Sequence, residues 1–236
     1  MVKFERRDPF PHLNLGSFSK LAALDHAEEA DRDLGLRVEM IEATLSSKGS
    51  RAPAPVSSGD HQNLWFGLEP RDLQTPYLEI RALLESVLPV GRQLEVVDLG
   101  CAYARMAFVI ERHFPLVSFQ GFEYVGERVN EARRVLEIAG AKRSRVDHAD
   151  LTSKDFRLPR ADVYFVYDYG TPAAIEKTLH DLKRVSSGRP LMIVARGRVV
   201  RYAIESRHPW LSRFEPNAPE RAFTIYRSRN EVEASV

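Results

Sequence analysis

The chain has 236 residues, of which 44% are hydrophobic and 28% charged, a composition typical of a globular protein rather than of a disordered chain. Its 34 basic and 33 acidic residues leave a net charge of +1, which provides no overall electrostatic attraction for nucleic acid or for an anionic membrane. The single cysteine, Cys101, excludes an intramolecular disulfide framework and a cysteine-rich zinc site.

Residues 1–60 predict a helical arm followed by a linker. The first 11 residues are charged and lack the apolar core of a signal peptide, and no apolar run approaches the roughly 20 residues of a membrane span, so we expect a cytoplasmic protein without a membrane partner. Apolar residues recur at helical spacing from Gly16 to Ser47, with Gly35 dividing the pattern into two helices. The residues at 46–59, rich in serine, proline and glycine, are typical of a linker.

The apolar face of this arm allows more than one use. It can pack on the chain's own domain, or on a second copy of the arm in a homodimer. The alternative is a lid over an active site.

Residues 61–236 are expected to form one Rossmann-like domain, because helical and strand patterns alternate from Asp72 onward. A helix over 72–88 must hold Pro76 near its first turn, and the alternating tail at 222–226 predicts an antiparallel closing strand. The elements between them are predicted at 94–99, 105–113, 117–123, 127–139, 146–149, 163–167, 172–185, 191–195 and 199–206. The predicted fold is α/β: a doubly wound, mostly parallel seven-stranded sheet with an antiparallel last strand and an N-terminal helical arm.

Ligands of such sheets bind beyond the carboxyl ends of the strands, and an acidic residue stands at three successive strand ends. Asp98 ends the first strand and precedes a tight turn and a helix N-terminus, where a carboxylate suits a cationic ligand better than a diphosphate. Glu123 ends the second strand and can accept hydrogen bonds from both hydroxyls of a ribose. Asp150 follows the third strand and can accept a hydrogen bond from an exocyclic amine such as that of adenine.

Other classes of site receive less support. A nicotinamide dinucleotide would place G-x-G-x-x-G in the first turn, whereas this turn has Gly100 alone, with Ala102 and Ala104 after it; a dinucleotide-dependent oxidoreductase is therefore the disfavoured rival. No hydrolase elbow or phosphate-binding loop is present. Because no two histidines have metal-ligand spacing on one helix face, we expect no metal, and His208 beside Trp210 is expected to be structural.

These residues resemble the class I S-adenosylmethionine-dependent methyltransferases. The resemblance is carried by four features: Asp98-Leu-Gly-Cys-Ala-Tyr-Ala104, Glu123, Asp150-Leu151 and the closing antiparallel strand. The segment Trp65–Tyr77 is in addition similar to bacterial proteins grouped with the non-SET histone-lysine methyltransferases.

The resemblance implies S-adenosylmethionine as the cofactor, with its methionine part near the first strand. Three consecutive residues would lie against that part: Gly100, Cys101 and Ala102. Asp98 would hold the amino group. Thr75 and Tyr77 would cover the cofactor from the N-terminal side, with ordinary packing as the alternative for both.

The nucleoside part of the cofactor is assigned to the next two strand ends. Glu123, followed by Tyr124, would bind the ribose hydroxyls. Asp150 would bind the adenine, together with the backbone of Leu151.

In the family, the end of the fourth strand faces the transferable methyl group. This makes Asp168 a candidate for orienting a nucleophile or accepting its proton, and Tyr169 a candidate for lining an aromatic channel beside the sulfonium. The alternative is that Asp168 caps the helix starting at Pro172 while Tyr169 packs. The Asn/Asp-Pro-Pro-aromatic motif of enzymes that methylate nucleobases is absent from this strand end.

The predicted activity is methyl transfer to an acceptor that the sequence does not identify. The subgroup resemblance favours a protein lysine, and a small molecule is the competing acceptor. Basic residues outnumber acidic ones from Lys183 to Arg229, which we interpret as a solvated face rather than as a surface for nucleic acid or an acidic partner. A non-catalytic, cofactor-binding scaffold is the remaining alternative, because alanines replace the usual glycines at 102 and 104.

Overall fold

The computed structural model describes residues 8–14, 16–49, 74–214 and 223–229. Seven strands within these ranges form one sheet: β1 (Leu94–Leu99), β2 (Val117–Glu123), β3 (Ser144–His148), β4 (Val163–Tyr167), β5 (Met192–Arg196), β6 (Leu211–Phe214) and β7 (Phe223–Ser228). The described helices are α1 (Lys20–Leu34), α2 (Val38–Gly49), α3 (Tyr77–Val87), α4 (Arg105–His113), α5 (Gly126–Ile138), α6 (Pro172–Val185) and α7 (Arg198–Arg207).

The sheet has the order β3-β2-β1-β4-β5-β7-β6. Strands β1 to β5 pair in parallel, and β7 runs antiparallel to both β5 and β6. The chain therefore builds outward from β1 in one direction and from β4 in the other, so that the strand order reverses between β1 and β4. The predicted doubly wound sheet with an antiparallel last strand is confirmed.

Helices cover both faces of the sheet. One buried apolar cluster joins α3, α4 and α5 to residues of the arm, and the other joins α6 and α7 to β4 and β5. The central strand β4 is buried on both faces, as its unbroken apolar sequence predicts. The edge strand β3 starts at Ser144, earlier than predicted, because Val146 is its only fully buried residue and its pattern is weak.

The arm packs on the chain's own domain. Gly35 ends α1 in the left-handed conformation with φ 78°, which agrees with the predicted division into two helices. Buried residues of the arm, among them Ala27 and Leu34, belong to the same cluster as the core of α3, whereas Leu21 in the first turn is 61% exposed. The predicted linker lies outside the described residues from position 50 onward.

Two buried ion networks join the arm to the domain. Arg105 of α4 pairs with Asp31 of α1, and Tyr77 donates a hydrogen bond to the same carboxylate at 2.7 Å. Since a buried charge is costly unless it is paired, the position of α1 is tied to the start of α4.

The second network involves α2 and α5. Arg128 contacts both carboxylate oxygens of Glu42 at 2.8 and 3.0 Å, and Tyr103 donates to the same group at 2.7 Å. All three side chains are buried. The division into an arm at 1–60 and a domain at 61–236 stays a prediction, but the described parts of both share one core. No helix in the described ranges is long and apolar enough to cross a membrane.

Candidate functional site

A cavity of about 50 Å³ lies where β1 and β4 end, at the reversal of strand order. Its lining includes Gln74, Thr75, Asp98, Gly100, Ala102 and Tyr167. The crevice at such a reversal is where open α/β sheets bind their ligands. The structure therefore brings together the end of β1, the turn after it and the residues just before α3.

The turn after β1 is held by the end of β2. The N–H groups of Gly100 and Cys101 both donate to the Phe122 carbonyl oxygen, at 2.8 and 3.0 Å. Gly100 has φ +88°, and a Cβ added to it would lie 2.7 Å from the Cβ of Tyr169. Only glycine suits this position, because a side chain would meet both a strained backbone and the β4–α6 turn.

Ala102 and Ala104 also adopt left-handed conformations, with φ 48° and 56°, and they are the non-glycine residues with positive φ in the described ranges. These are the two positions at which the sequence has alanine where the methyltransferases that it resembles usually have glycine. Because glycine is favoured in this conformation, each alanine costs roughly 1–2 kcal/mol of conformational strain. The surrounding contacts must offset this cost.

Glu123 supplies one of these contacts. Its carboxylate accepts hydrogen bonds from the N–H groups of Ala102 at 3.0 Å and Val125 at 2.8 Å. The side chain is buried and thereby fastens the turn after β1 to the end of β2. A carboxylate can accept more than two hydrogen bonds, and the ribose-binding role of Glu123 stays a prediction.

Asp98 has no such partners. Its side chain is 8% exposed, and no described residue donates a hydrogen bond to it. Burial, followed by the nearby charge of Glu123, raises the pKa of Asp98 to about 7. A carboxyl group in these surroundings favours a ligand that brings a positive charge to it.

Two further polar side chains in the cavity lining lack partners. Both amide atoms of Gln74 and the hydroxyl of Tyr167 are buried without a hydrogen bond from the described residues. Burial also raises the pKa of Tyr167 to about 12. Because buried polar groups are nearly always hydrogen-bonded, their gathering around one cavity with Asp98 indicates a site for a small polar ligand.

Gln74 and Tyr167 were not predicted from the sequence as site residues. Tyr167 is the last residue of β4, directly before Asp168, and its position was a usable signal. Gln74 had none, since it lies in a turn before α3 and only the fold brings it beside β1.

The other predicted cofactor residues are spread around this edge. Thr75 lines the cavity and accepts a hydrogen bond from Arg196 at 2.7 Å. Cys101 is buried against Gly121, and burial raises the pKa of its thiol well above the usual value. Tyr124 is 41% exposed, with its ring 6.3 Å from that of His148.

Asp150 and Leu151 make local structure. One oxygen of Asp150 accepts hydrogen bonds from both the N–H and the hydroxyl of Thr152, at 2.8 and 2.6 Å. The Leu151 side chain is buried in the apolar cluster under α6 and α7. Their adenine-binding role stays a prediction.

Tyr77 does not line the cavity, and the expectation that it covers a cofactor stays a prediction. Its side chain is 0% exposed; the ring stacks on Phe10 at 4.8 Å and the hydroxyl donates to Asp31. The ordinary-packing alternative describes this residue, because an amphipathic ring at the arm–domain contact needs a partner for its buried hydroxyl.

Asp168 caps a helix, but a different one from the helix predicted. Its two carboxylate oxygens accept hydrogen bonds from Val199 and Val200 at 3.0 and 2.9 Å, at the start of α7. The helix at Pro172 is capped instead by Thr171. The catalytic role of Asp168 stays a prediction.

Tyr169 packs against Gly100 and is anchored on α6. Its hydroxyl lies 2.5 Å from the Thr178 hydroxyl, and burial raises its pKa. In this structure the ring, rather than the hydroxyl, is the part nearer the turn after β1.

The strand order is that of the class I S-adenosylmethionine-dependent methyltransferase fold. No family model matches the chain, and no curated protein is similar to it.

Solved methyltransferase structures share this fold. TrmN from Thermus thermophilus is 15% identical, with a TM-score of 0.52 over 66% of this chain and 50% of that chain. The pyocyanin biosynthetic protein PhzM is 12% identical, with a TM-score of 0.50 over 64% of this chain and 54% of that chain. The match thus spans about half the length of each of these two proteins, and at this identity the likeness shows the fold alone.

Proposed function

We propose that the chain is an S-adenosylmethionine-dependent methyltransferase. The observation that carries the proposal is the cavity at the β1–β4 reversal, where the buried carboxyl group of Asp98 lies beside Gln74 and Tyr167, whose buried polar atoms have no hydrogen-bond partner among the described residues. The methionine part of S-adenosylmethionine bears an ammonium and a carboxylate group. Such a ligand would satisfy a buried carboxylate and a buried amide donor at once.

The residues fit the cofactor in the following way. Asp98 would hold the ammonium group, and the Gln74 amide would donate to the carboxylate. Glu123 and Asp150 would bind the ribose and the adenine. When bound, S-adenosylmethionine supplies a methyl group on a positively charged sulfur, and the chain's task is to orient the acceptor and exclude water.

For the acceptor, we retain a protein lysine, supported by the resemblance of the segment Trp65–Tyr77. A small molecule is the competing acceptor. An assay with labelled cofactor distinguishes the two acceptors. The purified chain is incubated with lysine-containing proteins in one reaction and with small-molecule pools in another, and the fraction that carries the label is identified.

One observation favours a second candidate, a non-catalytic cofactor-binding protein. The side chains expected to act on the acceptor are both engaged in structure: Asp168 accepts from the start of α7, and the Tyr169 hydroxyl contacts Thr178. Under this alternative, cells carrying Asp168→Asn keep every methylated product of cells with the unchanged protein. Under the leading proposal with Asp168 as a catalytic group, at least one methylated product declines.

Calorimetric titration with S-adenosylmethionine and its demethylated product at pH 8 tests the shared premise. At this pH Asp98, with a pKa of about 7, is ionised. We expect micromolar binding that Asp98→Asn weakens about 10-fold or more, since a charge-assisted hydrogen bond to the ammonium is lost. Asp147→Asn on the edge strand β3 is the matched control and keeps the affinity; absence of binding by the unchanged chain contradicts both candidates.

A further inference from the structure

Away from the strand edge, α6 and the end of α7 bring together three metal-ligating side chains. Glu176 and His180 lie one turn apart on α6, and His208 directly follows α7. One potential ligand atom from each lies within 4.8 Å of the others. The proposed methyltransferase site uses none of these residues.

One ring nitrogen of His180 is available as a metal ligand. Its Nδ1 lies 2.8 Å from the Glu176 carbonyl oxygen, and a carbonyl can only accept, so the proton of the neutral ring is on Nδ1. Nε2 is then unprotonated. An Nδ1–H bond to a backbone carbonyl is the contact that commonly orients a metal-binding histidine.

His208 and Glu176 are already at ligand spacing. The Nε2 atom of His208 lies 3.2 Å from Oε1 of Glu176, a separation that two ligands of one zinc-sized ion can share at bonds of about 2.0–2.1 Å. His208 is buried, Glu176 is half-buried and His180 is exposed. The cluster therefore has an anchored inner ligand and a side open to solvent.

Two neighbours compete with a metal ion. The Trp210 indole donates to Nδ1 of His208 at 3.0 Å, so that the neutral His208 ring carries its proton on Nε2 in the metal-free protein. Arg207 donates to Glu176 at 2.9 Å. The Trp210 hydrogen bond must break, and Arg207 must release Glu176 or share its carboxylate with the ion, before all three side chains can bind one ion.

We infer that Glu176, His180 and His208 form a binding site for one divalent cation of the zinc class. Two imidazoles and a carboxylate are ligands that suit Zn²⁺, Ni²⁺ or Co²⁺ rather than Ca²⁺ or Mg²⁺. On binding, the His208 ring proton moves from Nε2 to Nδ1, the metal–Nε2 bond forms and the Trp210 hydrogen bond breaks. No proton is lost from the ring, and α6 becomes linked to the turn after α7.

The test is titration of the full chain, freed of metal by a chelator and dialysed, with zinc chloride. We expect one Zn²⁺ per chain with micromolar affinity, weakened about 10-fold or more in His180→Ala. His180 is exposed and bonds only to its own helix among the described residues, so this variant should fold. His12→Ala is the matched control, because His12 is also exposed and paired with a carboxylate, Glu85; it keeps the affinity.

The competing contacts provide a second readout. Arg207→Gln and Trp210→Phe should each tighten zinc binding, because one removes a positive charge and the other removes the hydrogen bond that holds the Nε2 proton in place. In a Trp65→Phe background, zinc should also change the fluorescence of Trp210. Absence of stoichiometric binding, or equal affinity of the unchanged chain and His180→Ala, overturns the inference, as does unaltered affinity in both Arg207→Gln and Trp210→Phe.

Discussion

Ala104 precedes α4 in a left-handed conformation with φ 56°, although its side chain is fully buried. Replacing it by glycine removes a strain of roughly 1–2 kcal/mol from the folded state. Against this, the variant buries one methyl group fewer and has a more flexible unfolded chain, which together cost about 1–2 kcal/mol. We therefore predict that Ala104→Gly leaves the free energy of unfolding unchanged within about 0.5 kcal/mol, or raises it. Urea unfolding measures the difference.

Ala107 is the matched control for this substitution. It is equally buried, but it lies inside α4 with ordinary helical geometry. Ala107→Gly should lower the free energy of unfolding by about 2 kcal/mol, from lost helix propensity and lost burial. Equal losses in the two variants would show that position 104 is not strained.

Asp98 makes the stability of the chain depend on pH. Burial raises its pKa to about 7 in the folded chain, well above its value in the unfolded chain, so the unfolded state loses the proton first as the pH rises from about 4 to 7. Stability is present at low pH and declines through this window. We predict that Asp98→Asn is more stable than the unchanged chain, by a margin that grows by about 2–3 kcal/mol between pH 5 and pH 8.

Urea unfolding of both proteins at the two pH values measures this margin. Asp147 on β3, whose side chain is 41% exposed, is the control carboxylate, and Asp147→Asn should keep the same stability difference from the unchanged chain at both pH values. If Asp98 only made a structural contact, Asp98→Asn would lower both stability and cofactor affinity. A gain in stability together with a loss of cofactor affinity would therefore show that Asp98 serves binding.

At the scale of elements, α7 starts with a cap supplied from another part of the chain. Gly197 has no side chain to cap α7, and a Cβ placed there would lie 2.2 Å from the Asp168 carboxylate. We predict that Asp168→Ala lowers the free energy of unfolding by about 1–2 kcal/mol, because two N–H groups at the start of α7 lose their acceptor.

Asp168→Asn distinguishes the cap from a catalytic carboxylate. The amide oxygen of asparagine still accepts a hydrogen bond from α7 and should retain more than half of the stability lost in Asp168→Ala. If methyl transfer by the asparagine variant is as fast as that of the unchanged chain, Asp168 acts as a cap alone. A loss of activity with retained stability would support its catalytic role.

At the scale of the whole molecule, the arm and the sheet domain are joined by buried charges. Glu42 of α2 is the carboxylate partner of the buried Arg128 of α5. Glu42→Gln removes the nearer of the two carboxylates around that guanidinium, since Glu123 stays 3.9 Å from Arg128, and we predict a loss of about 2–3 kcal/mol in the free energy of unfolding. Chemical unfolding followed by circular dichroism measures it.

The more exposed pair of Arg145 and Asp147, whose side chains are 68% and 41% exposed, provides the comparison. Asp147→Asn should change the free energy of unfolding by less than about 0.5 kcal/mol, because a solvated ion pair contributes little. Equal small losses in both variants would mean that the arm contributes little to the fold. Dimerisation through the arm stays a prediction, and the apolar face proposed for it is largely buried on the chain's own domain.

The sequence predicted the sheet and most of its boundaries because buried parallel strands and amphipathic helices have distinct periods. β1, α4, β2, β4 and α6 start and end where the pattern placed them. The acidic residues at successive strand ends were predictable for the same reason, since parallel strands bring their carboxyl ends to one edge.

Other parts depended on contacts between residues far apart in the chain. The hydrogen-bond partners of Tyr77 and Asp168 are Asp31 and the start of α7, which no local pattern identifies. The cluster of Glu176, His180 and His208 was missed because only two of its members share a helix. Local periodicity thus determined the elements of this protein, whereas tertiary packing decided which buried polar side chains find a hydrogen-bond partner among the described residues.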